Sequence, residues 1–291
     1  MTLIELIDAG AQQLAEAGIS FGHGTNNAFD EAAWLVLWQL GLPLDSPLDG
    51  PNSVSNKPVV LASQAQVATL LRARIETRQP AAYLTHEAWL QGVPFYVDER
   101  SIVPRSPIAE LLVHGDIDPW LGPQTRRVLD LCTGNGSLAV LAAMAYPEVS
   151  IDAADISTDA LEVARINVDR HQLQQRITLL TSDGLTQVNG PYDLILCNPP
   201  YVNTQSMTAL PPEYRAEPAL ALAGGTDGMD FIRQLLRDAP RHMTEHAVLV
   251  LEIGHEREHF EAAFPLLEVV WLETSAGEDQ VLLVTRESLK S

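Results

Sequence analysis

Val128-Leu129-Asp130-Leu131-Cys132-Thr133-Gly134-Asn135-Gly136 is the stretch whose reading decides the fold. An apolar strand runs into a turn with two glycines, and an apolar helical run over residues 138–145 follows at once. Glycines let a backbone turn tightly and approach a ligand that a Cβ would exclude. The helix behind them offers unpaired N–H groups to ligand atoms. Asp155 stands nineteen residues after Gly136, at the end of the next apolar run. A carboxylate there can accept hydrogen bonds from both hydroxyls of a ribose. Ser182-Asp183-Gly184 closes the run after that, where a polar side chain can read an adenine edge. Together these residues predict a nucleoside site; a plain strand–helix turn, with Asp155 as a helix cap, is the blander alternative.

Outward from that turn the chain alternates. Strands are expected at residues 128–132, 149–154, 177–181, 192–197 and 247–253, with helices at 138–145 and 160–171 between them. Such alternation builds a parallel sheet covered by helices. Runs at 267–273 and 280–285 are separated only by a turn at Ala276-Gly277-Glu278. That is too short for a helical crossover, so they pair as an antiparallel hairpin. The expectation is an α/β, Rossmann-like seven-stranded sheet with a C-terminal antiparallel hairpin. Before Pro104 the periodicity is helical at 3–17, from Asn27 or Asp30 to Gly41, and at 63–78, then alternates over 82–104. This predicts a helical domain over residues 1–80, a β-hairpin linker over 81–105 and the sheet domain over 106–291.

The turn does not settle the ligand by itself. Gly134 to Ala139 literally meets the dinucleotide pattern G-x-G-x-x-A. Asp130 at the strand end fits a cation better than a pyrophosphate. That favours S-adenosylmethionine, which carries an ammonium and a sulfonium and no phosphate, over NAD.

The fourth strand runs into Asn198-Pro199-Pro200-Tyr201. Carboxyl ends of central strands face the ligand crevice in such sheets, so this turn lies beside the glycine turn. An amide nitrogen is a poor nucleophile that must be aimed. The Asn198 side-chain oxygen and the Pro199 carbonyl can each accept one N–H of a substrate NH₂ group. Two prolines stiffen the turn, and Tyr201 supplies a flat face for a planar amide. A plain strand terminator is the alternative.

The formal net charge is −20, with eleven acids and five bases in residues 1–100 and twenty-seven and thirteen in the rest. Phosphate contacts need clustered Lys and Arg, so no nucleic-acid binding is expected. An acidic surface attracts a basic partner, and also simply keeps a protein in solution. No apolar run reaches the ~18 residues of a membrane span, and the two cysteines, Cys132 and Cys197, fit a reducing cytoplasm.

With these residues the chain resembles the protein-glutamine N-methyltransferases, and among them the branch acting on bacterial large-subunit ribosomal protein three. The resemblance spans nearly the whole chain. It includes residues 74–85, Val103-Pro104-Arg105-Ser106-Pro107-Ile108-Ala109-Glu110-Leu111, the glycine turn, Asn198 to Tyr201, Tyr214-Arg215-Ala216-Glu217-Pro218 and Gly224-Gly225. The sister enzymes that act on translation release factors carry R-P-x-T-E where this chain reads Arg105 to Glu110. The resemblance implies a class I S-adenosylmethionine-dependent methyltransferase core behind a helical substrate-recognition domain. It implies that a glutamine of a basic ribosomal protein is methylated and S-adenosylhomocysteine released. The cofactor contacts would come from Asp130, Cys132, Thr133, Gly134, Asn135, Gly136, Asp155, Asp183, Gly184 and Asn198. The amide would be held by Asn198, Pro199, Pro200 and Tyr201.

Three rivals are weighed beside it: a release-factor glutamine methyltransferase, a DNA amino-methyltransferase using the same tetrapeptide, and an NAD-dependent dehydrogenase or nucleotide-binding module. His255-Glu256-Arg257-Glu258-His259 also matches the zinc-protease pattern H-E-x-x-H. It is read as a solvated helix face, and no metal site is expected.

Overall fold

The computed structural model describes residues 1–290 and divides into two compact units. Unit 1 comprises Met1–Ala88 together with Leu210–Ala216, and unit 2 comprises Trp89–Ala209 and Glu217–Ser291. Among the described residues no helix is long and apolar enough to cross a membrane.

Unit 1 is helical. α1 (Leu3–Glu16) begins with a reciprocal capping box between Thr2 and Glu5. In α2 (Ala28–Gln39) the Asn27 side chain accepts the Asp30 N–H as N-cap. α3 (Leu61–Thr77) and α4 (Ala81–Thr85) follow. Leu3, Ile7 and Leu14 of α1, Leu35 of α2 and Leu71 of α3 form the buried interior. Arg74 is buried with them and bonds Glu31 at 2.8 Å and the Ser20 carbonyl at 3.2 Å. Glu213, from the 210–216 excursion, lies 3.7 Å from Arg74 and 3.1 Å from Arg78. A buried charge needs such partners, which is why this short segment packs with the helices. The expectation that residues 106–291 form one unbroken domain therefore differs from the structure at these seven residues.

Unit 2 opens with a short hairpin, β1 (Ala88–Leu90) and β2 (Val93–Phe95), whose first residue falls at the unit boundary. The hairpin expected over 82–104 is shorter than the alternation suggests, because Pro80-Ala81-Ala82 starts α4. α5 (Ile108–His114), which periodicity did not predict, precedes the sheet. Then come β3 (Arg127–Leu131), α6 (Ser137–Ala145), β4 (Ser150–Asp155), α7 (Thr158–Arg170), β5 (Ile177–Thr181) and β6 (Tyr192–Cys197). They are followed by α8 (Thr204–Ala209), α9 (Asp230–Asp238), β7 (Met243–Glu252), α10 (Arg257–Ala263), β8 (Val270–Thr274) and β9 (Gly277–Thr285).

The seven-stranded sheet runs β5-β4-β3-β6-β7-β9-β8. β5 through β7 are parallel, while β9 is antiparallel to both β7 and β8, as the hairpin reading requires. Alternation along each strand divides the core between two faces. Leu194 and Leu196 of β6 join one buried cluster with Val140 and Leu141 of α6, and Ile195 and Cys197 join the other with Ile232 and Leu235 of α9. The chain reverses direction of winding between β3 and β6, which is where a doubly wound sheet opens its crevice.

Candidate active site

A cavity of about 220 Å³ lies wholly within unit 2 at that crevice. Its wall includes Cys132 and Gly134 beyond β3, Asp155 at the end of β4, Asp183 and Gly184 beyond β5, and Asn198 and Pro200 beyond β6. The structure thus brings the predicted residues of four strand ends to one space.

The glycine turn is built by left-handed residues. Cys132, Gly134 and Gly136 have φ of 60°, 54° and 80°. Cys132 adopts an angle that costs a residue with a side chain about 1–2 kcal/mol. Gly136 is needed for packing: a Cβ there would stand 3.1 Å from that of Ala164 in α7. A Cβ at Gly134 would meet no protein atom within 4 Å, although Gly134 lines the cavity.

Asp130, Thr133, Asn135, Gly136, Pro199 and Tyr201, also singled out from the sequence, do not line the cavity. Asp130, Thr133, Asn135 and Gly136 are buried and build the wall behind it. Asp130 is fully buried, and its Oδ2 accepts the Thr133 hydroxyl at 2.5 Å and the Ala139 N–H at 2.9 Å. It therefore anchors the turn to the start of α6, where a negative charge is favoured. Asn135 accepts the Ser137 N–H at 3.1 Å, and its carbonyl receives Asn167 Nδ2 at 2.9 Å.

Burial raises the Asp130 pKa to about 7; the Thr133 and Ala139 hydrogen bonds oppose the rise and the nearby Asp155 charge adds to it. Its Oδ1 has no hydrogen-bond partner among the described residues. An unfolded aspartate releases its proton near ~3.9. Between there and pH 7 the folded state holds a proton that the unfolded chain has lost, so stability falls as pH rises through this window. Asp130→Asn is expected to remove that dependence. In urea unfolding without cofactor, the variant should gain on the wild type between pH 5 and pH 8; a constant difference contradicts this account.

Asp155 is placed by its own backbone contacts. Oδ2 accepts Gly134 N at 2.9 Å and Oδ1 accepts Ser157 N at 2.8 Å. Each carboxylate oxygen retains a further acceptor site, and burial raises the group's pKa. Asp183 is exposed on a turn that Ser182 shapes from below: its hydroxyl donates to the Gly184 carbonyl at 2.7 Å and accepts Gln187 N at 3.1 Å.

Asn198 lines the cavity, and its side-chain amide has no hydrogen-bond partner among the described residues. Tyr201 turns inward. Its hydroxyl donates to Glu252 Oε1 at 2.8 Å, and burial, with the Glu252 charge, pushes its pKa well up. Missing side chains make room for it. A Cβ at Gly254 would fall 2.5 Å from the Tyr201 ring, and one at Gly224 would fall 2.7 Å from the Tyr201 Cα.

Glu256 receives Asn203 Nδ2 at 2.7 Å and contacts His259 Nδ1 at 2.6 Å. α10 begins at Arg257, so His255 precedes the helix and the H-E-x-x-H register of two histidines on one helical face is not formed. The Cys197 thiol is fully buried, and its pKa is pushed well up, by burial first and by its neighbour Cys132 next.

Several wall residues carried no sequence signal, among them Ile102, Leu220 and Phe231. Arg105 and Glu217, which stood within the resemblance, prove to be partners. The guanidinium bonds both Glu217 oxygens, at 2.6 and 2.7 Å, and Glu217 also accepts Val103 N at 2.9 Å. This joins residues 103–105 to the segment that continues into Pro218 and Leu220 on the cavity wall.

The methyltransferase small domain family matches residues 112–211. The chain is 53% identical to the ribosomal protein uL3 glutamine methyltransferase of Bordetella pertussis, over 100% of this chain and 97% of that one. It is 47% identical to the protein of the same name from Neisseria meningitidis serogroup A, over 99% and 94%. Among solved structures it is similar to the catalytic domain of hMettl16 in complex with MAT2A 3′UTR hairpin 6, with a TM-score of 0.53 at 14% identity. That match covers 82% of this chain and 85% of the other, and is a likeness of fold.

Proposed function

The chain belongs to the ribosomal protein uL3 glutamine methyltransferases, and from that membership we propose that it methylates a glutamine side-chain amide of uL3 with S-adenosylmethionine as donor. The other readings of the sequence (a release-factor enzyme, a DNA amino-methyltransferase, an NAD-dependent enzyme) give way to this family. The observation that carries the residue assignment is the unpartnered Asn198 amide on the cavity wall, at the strand end beside the glycine turn.

The residues present fit the cofactor. Asp155 offers two acceptor sites to vicinal ribose hydroxyls, and Leu131, Ile156 and Phe231 supply apolar wall for a flat base. Asp183 and Gly184 stand where an adenine edge is read, and the buried Asp130 carboxyl behind the turn favours a cationic ligand. When bound, S-adenosylmethionine supplies a sulfonium-activated methyl group.

The chain's own residues then aim the amide. Asn198 Oδ1 accepts one N–H and the Pro199 carbonyl the other, while Pro199 and Pro200 keep this turn from relaxing. Tyr201 backs the amide plane. Orientation of this kind contributes about 7–11 kcal/mol toward a barrier. No strong base is required, because an alkylated amide nitrogen loses its proton readily. The −20 charge favours encounter with a basic ribosomal protein in the cytoplasm, where ribosomes are assembled.

Asp155→Ala is expected to weaken S-adenosylmethionine binding by about 10–100-fold, the worth of hydrogen bonds to a charged group. Isothermal calorimetry checks it, and an unchanged dissociation constant refutes the ribose assignment.

A further inference from the structure

Tyr201 leans on a buried carboxylate that the core does not require. Glu252, the last residue of β7, is 4% exposed. Its Oε1 accepts the Tyr201 hydroxyl at 2.8 Å and its Oε2 accepts the Ser106 hydroxyl at 2.5 Å. The guanidinium nearest in sequence to Ser106, that of Arg105, is engaged by Glu217. Glu252 hydrogen-bonds two neutral hydroxyls; burial raises its pKa, while those two bonds and the charge of Arg105 oppose the rise. A buried carboxylate is costly beside a well-packed apolar residue of similar size, so core packing alone does not account for it.

The geometry of the network accounts for it better. Ser106 comes from the segment preceding α5, Glu252 from the end of β7 and Tyr201 from the turn after β6. The two hydrogen bonds join three segments far apart in sequence at a single carboxylate. The Tyr201 ring is held at its edge by the Gly254 backbone and at its tip by Glu252. The hydroxyl is the only hydrogen-bonding group of a tyrosine side chain, so Glu252 fixes where the tip of the ring stands.

We propose that Ser106 and Glu252 are positioning residues for methyl transfer, holding the Tyr201 ring by its hydroxyl at the place where it receives the substrate amide. The proposal rests on reading Asn198 to Tyr201 as the amide clamp.

The test uses the full chain, radiolabelled S-adenosylmethionine and purified uL3. Tyr201→Phe keeps the ring and removes its tether, and is expected to lower kcat about 10–100-fold, the penalty of a misplaced reacting group. Glu252→Gln and Ser106→Ala should lower kcat in the same direction, with cofactor affinity unchanged, and Ser106→Thr should restore it. Because the three act as one unit, Tyr201→Phe combined with Glu252→Gln should lower kcat no further than the worse single variant. Losses that multiply, or a Ser106→Ala enzyme with lowered melting temperature and wild-type kcat, overturn the positioning role. Should Glu252→Gln not fold, the Ser106→Ala and Ser106→Thr pair still decides. Asn198→Ala separates this proposal from the clamp reading: if it is inactive while all three network variants retain wild-type kcat, the clamp stands and the network does not.

Discussion

Asn198→Ala is expected to lower methyl transfer to uL3 by about 10²–10³-fold while leaving S-adenosylmethionine affinity within a few-fold of wild type. Asn198 is the one cavity-wall side chain of the tetrapeptide that presents an amide without a protein partner. Its removal therefore breaks no internal hydrogen bond and leaves no buried group orphaned. Under the proposed clamp it removes an acceptor for the substrate NH₂ group, whose nitrogen then samples orientations out of line with the transferring methyl. Single-turnover transfer and calorimetry with the same preparation provide the check. Proportional losses of activity and cofactor affinity would mean that Asn198 binds cofactor and does not aim substrate.

Gly254→Ala should be nearly as damaging, for a steric reason. Gly254 has a φ of 53°, and its Cβ would lie 2.5 Å from Tyr201 Cε2. The left-handed angle costs an alanine about 1–2 kcal/mol, and the clash adds an overpacking penalty of about 1–3 kcal/mol unless the ring moves. Movement of the ring relieves the clash and misplaces the amide face, so transfer should fall about 100-fold. Gly41→Ala supplies the control. It shares the left-handed angle, with φ of 64°, but a Cβ there meets no atom within 4 Å. It should lose stability alone. Urea midpoints and kcat, measured together, distinguish the two; equal activity in both variants would remove Gly254 from the site's architecture.

Much of this site was legible without coordinates because its determinants are local. Leu194 and Leu196 on one face of β6, with Ile195 and Cys197 on the other, announce a strand buried on both sides. The glycine turn, Asp155, Asp183 and Asn198 each stand at or just beyond the end of a parallel strand, and parallel strands carry their ends to one edge of a sheet. The hairpin of β8 and β9 was equally legible, since the turn expected at Ala276-Gly277-Glu278 leaves no length for a crossover; the turn falls at Ser275-Ala276, and Gly277 already opens β9. Asp130 shows where that reading was too direct. Its acidity suggests ligand contact, whereas it does not line the cavity and its Oδ2 holds Thr133 and Ala139 behind the wall.

The sequence by itself determined the sheet, the strand ends and the tetrapeptide, because side chains two to four residues apart encode strand and helix faces. Only the tertiary structure decided which distant groups meet within each unit. Ser106 and Glu252 are 146 positions apart, Arg105 and Glu217 are 112, and Arg78 and Glu213 are 135. No periodicity records such pairs. A polar side chain that folding buries must find a partner among whatever else is buried with it, and that company is known only when the chain has folded.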